Sequence, residues 1–204
     1  VTPTYLALDV ESGGLDHNVT SVLEYYFIVL DENFNELANL HLLTKPDDGI
    51  YALNAKAMEV NRINLIEHDK VAVFEREAKT KLYQFLDSNT NHGEHKLVWV
   101  GHNVGFDRDA VYAKLCSRTT LDKFCKYYTL DTGTVSQFLR FANLLPLDVT
   151  SSLGALIEHF GVQGVNSHKA EDDIRVTIEV LKAMSDRVKM AGLYRALHDE
   201  QAYG

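Results

Sequence analysis

Asp9 and Glu11 lie two positions apart inside the apolar run YLALDVES. Side chains alternate faces along a strand, so Leu6, Leu8 and Val10 point one way and Tyr5, Ala7, Asp9 and Glu11 the other. Like charges sharing a strand face repel, and something must offset them. A further acid, Asp107, stands in GHNVGFDRDAV, behind a short apolar strand and at the start of a helix. Taken alone, it reads as a helix-end acid favoured by the macrodipole. The third acidic region is NSHKAEDDIRVTIEVL. On a helix through 170–181, Ala170, Asp173, Ile174, Thr177, Ile178 and Leu181 share one face, while Asp172, Arg175, Glu179 and Lys182 fall toward the other. Asp172 is then a solvated charge beside Arg175. Asp173 falls on the apolar face, where an unpaired carboxylate is expensive. It either pairs with a buried base, caps backbone or ligates a metal. Together Asp9, Glu11, Asp107 and Asp173 offer the oxygen ligands that hard cations such as Mg²⁺ and Mn²⁺ take, and two such ions would offset the four charges.

These acids need elements to position them. VTSVLEYYFIVLD (19–31) and LANLHLLTKP (37–46) read as β segments joined by short turns, which with the opening strand make an antiparallel meander. NAKAMEVNRI reads as a short helix capped by Asn54. The spacing of Val71, Phe74, Ala78, Leu82, Phe85 and Leu86 predicts one amphipathic helix over 71–89. KLVWVGHN (96–103) and YYTLDT are short strands, DRDAVYAKLCSRT is helical, and TVSQFLRFANLL, SSLGALIEHFG and the segment from His168 onward supply the remaining helices. The order βββ, αβαβ, then helices predicts a mixed α/β layer structure.

The 204 residues suit one domain, 1–204, with a C-terminal helix from about 185 as an extension. At this length folding buries roughly 70% of the unfolded chain's surface. Net charge is −9, which argues against broad electrostatic gripping of duplex nucleic acid but leaves open a nucleic-acid enzyme whose metal ions neutralise its site. No stretch resembles a membrane span or a secretory signal, so no membrane partner and a cytoplasmic location (host cytoplasm for a viral source) are expected. Cys116 and Cys125 favour two reduced thiols over a disulfide.

DVESGGLD, GHNVGFD and HKAEDD resemble the three motifs of the DEDDh, or DnaQ-like, 3′→5′ exonucleases: D-x-E at Asp9 and Glu11, H-N-x-x-F-D at His102, Asn103, Phe106 and Asp107, and H-x-x-x-x-D at His168 and Asp173. A single motif is weak; three in order, from about Tyr5 to about Met184, are specific. YTLDT and SSLGALIEHFGV are also similar to family counterparts. Ser12-Gly13-Gly14 replaces the family's Thr-Thr-Gly or Thr-Gly, and Asn61-Arg62 stands where the family helix often ends in His-Gly. Those departures bear on substrate preference more than on chemistry.

The resemblance implies an RNase H-like fold, a mixed sheet in which an antiparallel three-strand meander is extended by parallel strands and flanked by α-helices. It also implies hydrolysis of phosphodiester bonds at the 3′ end of single-stranded nucleic acid with release of nucleoside monophosphates, using two divalent ions, Mg²⁺ or Mn²⁺. Asp9 would bridge the ions, Glu11, Asp107 and Asp173 would complete their shells, and His168 would be the general base, for which an imidazole with a pKa near about 6.5 suits neutral pH. A tyrosine in place of His168 would mark the sister DEDDy group. Gly13, Leu15, Asn103 and Phe106 are the candidate substrate-binding residues, with a plain turn or simple core packing as the alternative for Gly13, Leu15 and Phe106. Lys114, Arg118, Lys123 and Lys126 form the densest basic segment and are candidates for guiding phosphates, against a merely solvated helix face. His92 and His95 could suggest a zinc pair, but no further ligand lies at suitable spacing.

DNA is slightly favoured as substrate over an RNA-processing role. A polymerase or other replication protein is a candidate partner. The rival class is a non-catalytic module binding nucleic acid or a polymerase, which would be expected to lack an acid or the histidine; a nuclease domain cut from a longer polymerase or helicase is a third reading.

Overall fold

In the computed structural model, residues 1–164 and 167–202 are described, with side chains to Gly192. The meander forms as its alternation demands: β1 (Tyr5–Ser12), β2 (Val22–Leu30) and β3 (Glu36–Lys45) pair antiparallel. Then come α1 (Ala55–Asn61), α2 (Leu65–Val71), the two-residue β4 (Val73–Phe74) and α3 (Glu75–Asn89). β5 (Leu97–Gly101), α4 (Val104–Lys114), the single turn α5 (Arg118–Leu121), β6 (Cys125–Asp131), α6 (Thr132–Phe141), α7 (Leu153–Phe160) and α8 (Ala170–Ala202) complete the chain. The sheet order is β4-β3-β2-β1-β5-β6, with β5 parallel to β1 and β6 parallel to β5. This is the expected meander extended by parallel strands and flanked by helices.

The predicted single helix over 71–89 is corrected. Val71 closes α2 and is 63% exposed, Ala72 is extended, and Val73 and Phe74 pair in parallel with Thr44 and Lys45 of β3. The β-branched VAVF run takes an open sheet edge instead of helix. Only from Glu75 does the 3.6 period hold, burying Ala78, Leu82 and Leu86.

Two apolar layers sandwich the sheet. Leu6, Leu8 and Val10 of β1 join Tyr25 and Phe27 of β2, Trp99 of β5, Leu82 and Leu86 of α3 and Val111 of α4. On the opposite face Ala7, Tyr26, Ile28 and Val100 meet Leu139 of α6, Leu156 of α7 and Ile174, Ile178 and Leu181 of α8. The alternation read from YLALDVES is therefore real, and Asp9 and Glu11 end the strand on the side that α8 covers. Both cysteines are free and buried. No helix among the described residues is long and apolar enough to cross a membrane.

Candidate active site

β1 delivers Asp9 and Glu11 to the edge of the core, opposite Tyr26 and Glu24 of β2; the register shifts after Glu11, so that Ser12 pairs with Val22. α8 delivers Asp173. One carboxylate oxygen from each of Asp9, Glu11 and Asp173 lies within 4.8 Å of the other two. Burial, then Asp107, Glu11 and Asp173, hold the Asp9 pKa well above the usual carboxylate range. Burial, then Glu24 and Asp173, push Glu11 up to about 8. Three carboxylates this close disfavour one another's charged forms, which a cation would offset, so the donor set fits a hard divalent ion.

Asp107 is buried in the first turn of α4. It stands outside that three-oxygen group, and its Oδ1 accepts the Val10 N–H at 3.1 Å. Burial raises its pKa, against the opposing pull of the Val10 N–H, and it is among the charges that raise Asp9. It therefore belongs to the same electrostatic cluster while being tied to the strand that carries Asp9 and Glu11.

Asp173 is buried on the apolar face of α8 as its register requires, and backbone capping is part of its role. Its two oxygens accept the N–H groups of Ser167 (2.8 Å) and His168 (3.2 Å). Burial raises its pKa, and the Ser167 N–H opposes that. His168 is exposed, with φ +55, the left-handed region, so the Asp173 carboxylate fixes a turn that a non-glycine residue adopts at some cost. Val165 and Asn166, shortly before His168, lie outside the described residues. Asp172 is exposed and accepts the Ser167 hydroxyl at 2.9 Å. As expected, Asp172 is solvated and lines the same surface hollow as Arg175, whose hydrogen bonds go elsewhere, to Glu171 (2.9 Å), Glu36 (2.6 Å) and the Tyr26 hydroxyl (3.1 Å).

That last network was not anticipated. Tyr26, the cross-strand neighbour of Asp9, donates to Glu171 at 2.9 Å, so the strand beside Asp9 is clamped to the helix that carries Asp173. Glu24, directly opposite Glu11, also went unnoticed; it pairs with His41 at 2.8 Å and raises the His41 pKa. A lone acid inside the apolar run VLEYYFIVL was the available signal.

The histidine and asparagine of the second motif serve the α4 entrance. Asn103 is in the left-handed region (φ +58) and its carbonyl accepts the Phe106 N–H. His102 Nδ1 contacts the Thr132 hydroxyl at 2.6 Å, and Asp131 accepts the N–H groups of Val104 (2.8 Å) and Thr134 (3.0 Å). Asp131 thus holds the starts of α4 and α6 together.

Leu15 is 89% exposed. With Phe106, Glu11, Gly14, Asn54 and Val60 it lines a cavity of about 450 Å³ whose exposed wall is mostly apolar. Gly13 is buried and lines no such cavity: a Cβ there would meet Leu53 Cδ2 at 2.6 Å. Its N–H donates to Ser21 and its carbonyl accepts from Asn54, so it seats the α1 cap, as a turn residue would. Asn61 Nδ2 donates to the Ser12 carbonyl at 3.2 Å, tying the end of α1 to the end of β1. His92 pairs with Asp87 in an exposed loop, away from any cluster of three metal-ligating side chains among the described residues.

Residues 6–181 match a family model described as an exonuclease, RNase T. The oligoribonuclease of Haemophilus ducreyi is 28% identical over 179 residues, covering 86% of this chain and 88% of its own. The ribonuclease T of Actinobacillus pleuropneumoniae is 26% identical over 96% of this chain and 89% of its own. Among solved structures, Escherichia coli exonuclease I in complex with a dT13 oligonucleotide superposes with a TM-score of 0.72 at 17% identity, over 95% of this chain and 43% of exonuclease I. The chain thus spans less than half of that enzyme, whose likeness is one of fold. With the family model covering most of its length, the chain belongs to the RNase T family of DEDDh (DnaQ-like) 3′–5′ exonucleases.

Proposed function

We propose that the chain removes mononucleotides from the 3′ end of single strands, with Asp9, Glu11, Asp173 and Asp107 holding two divalent ions, Mg²⁺ or Mn²⁺, and His168 taking the proton of the attacking water. The observation that carries this is the convergence of Asp9, Glu11 and Asp173 within 4.8 Å, beside a cavity that Leu15 and Phe106 line. When bound, the ions would supply an activated water and charge stabilisation at the phosphate. Asp107 is anchored through Val10, so it is positioned by the strand whose acids it joins. The cavity takes the terminal base and sugar on an apolar wall; a paired end would first have to unstack. Asn103 sets the α4 turn that presents Phe106 and Asp107.

RNA is the better-supported substrate. The curated relatives that match most of the chain are named as ribonucleases, whereas exonuclease I supports fold alone. The sequence's slight lean to DNA has no such support.

The test is an assay of the purified chain on end-labelled single-stranded RNA and DNA with Mg²⁺ or Mn²⁺. Label at the 3′ end should appear first as mononucleotide, a 3′-phosphate should block digestion, and RNA should be cut faster. Early loss of a 5′ label would contradict the polarity.

His168→Ala should lower turnover by roughly 10²–10⁴-fold, the range for losing a general base. Its main-chain N–H, the group that bonds Asp173, is kept in the variant. Mn²⁺ affinity, measured calorimetrically, should therefore hold. Equal loss of affinity and turnover would move His168 from proton transfer to site assembly.

A further inference from the structure

The cavity beside Glu11 and a second one of about 470 Å³ share only Leu15 and Phe106. Across that two-residue wall the second cavity is lined by His17, Asp109 and Tyr112, among others. His17 is buried with its ring 4.3 Å from Phe106, and neither ring nitrogen has a hydrogen-bond partner among the described residues. From Tyr112, side-chain contacts lead on to β6. The Arg108 guanidinium lies 5.7 Å from the Tyr112 ring and donates to the Tyr127 carbonyl at 3.1 Å. Tyr127 and Tyr128 are 76% and 47% exposed, with rings perpendicular at 5.3 Å, and the Lys126 ammonium is 5.5 Å from the Tyr128 ring. These residues protrude because β6 bulges: Leu97 pairs with Cys125 and Trp99 with Thr129, so Lys126, Tyr127 and Tyr128 stand opposite Val98 alone. β6 is also the edge strand.

We infer that this surface, from Tyr112 through Arg108 to Tyr127 and Tyr128, carries the 5′-ward part of a single strand whose 3′ end lies at the carboxylates. The inference rests on the exonuclease reading of that site. Solvent-facing rings beside cations are the chemistry that holds unpaired nucleic acid, the rings stacking on bases and the cations meeting phosphates. Arg108 and Lys126 are the cations beside these rings, in a chain of net charge −9. Asp16 and Asp109, at the rim of the second cavity, repel phosphate and accept from base amino groups. There the bases face inward and the backbone runs outside.

The test is fluorescence anisotropy of the full chain with 5′-labelled single strands of RNA and DNA, from about three to about twelve nucleotides, in EDTA so that no strand is cut. Wild-type affinity should rise with length. Tyr127→Ala combined with Tyr128→Ala should cost the long strand about fivefold or more and leave the shortest strand unchanged, with the melting curve unaltered. Replacing both by tryptophan should keep long-strand affinity. Affinity that is flat with length, or a double variant that weakens short and long strands alike, overturns the inference. The exonuclease reading fails separately, by absence of cleavage with Mg²⁺ or Mn²⁺ whatever the anisotropy shows.

Discussion

Asp173→Asn should leave no measurable turnover and weaken Mn²⁺ binding, whereas Asp172→Asn should retain most of both. The two residues are neighbours of the same type, so composition and local charge cannot separate them. Geometry does. Asp173 is buried with one oxygen inside the three-carboxylate group; Asp172 is exposed and holds only the Ser167 hydroxyl. Asparagine at 172 still accepts that hydroxyl, and its stability should stay within about ±0.5 kcal/mol of the parent, as at ordinary surface sites. Asparagine at 173 keeps one acceptor for the N–H groups of Ser167 and His168 and turns an amide toward the other. That loss opposes the relief of repulsion from Asp9 and Glu11, so the metal-free variant should melt close to the parent. Nuclease assays with calorimetric titration of Mn²⁺ into both variants decide it. The opposite ranking would mean that the site is built on a different face of α8 from the one its oxygens mark.

The site was largely legible because its chemistry is carried by residue type and period. Acids on the inner face of a strand and on the apolar face of a helix stand out against their surroundings, and the meander and α3 from Glu75 follow their alternation. The helix cap at Asn54 was readable for the same local reason, its side chain accepting the Lys56 N–H. What escaped has no local signal. α2 and β4 are too short to show a period, and VAVF pairs with β3 only because an edge is open there. Helix geometry placed Arg175 beside Asp172 but could not show its partners Glu36 and Tyr26, more than a hundred residues away in sequence. The tie from Asp107 to Val10 and the β6 bulge are likewise tertiary facts. Only over 71–74 did a long-range contact override a local expectation; the other contacts add to what local pattern supplied.

Chelation should abolish turnover, Mg²⁺ or Mn²⁺ should restore it, and Ca²⁺ should do so poorly because its looser coordination suits a tight site badly. The same carboxylates make a second, independent mark on the metal-free protein. Burial and the neighbouring acids push Glu11 up to about 8 in the folded chain, from 4.5 for the ordinary side chain. The folded state therefore binds the extra proton between those values. For an acid with a raised pKa, stability falls as pH rises through that window, and the loss is complete above about 8. Asp9 is shifted in the same direction and adds to the fall. In EDTA the melting temperature should therefore drop from pH 5 to above pH 8 by an amount equivalent to a few kcal/mol. With saturating Mn²⁺ the carboxylates are ionised and paired with a cation, so the decline should flatten or reverse, and binding should release protons near pH 7. Melting curves across that range with and without Mn²⁺ provide the check, and full activity in EDTA or parallel curves in the two conditions would sink the metal reading. Because the stability effect needs no substrate, it separates a site that holds metal but lacks turnover from one that never binds metal.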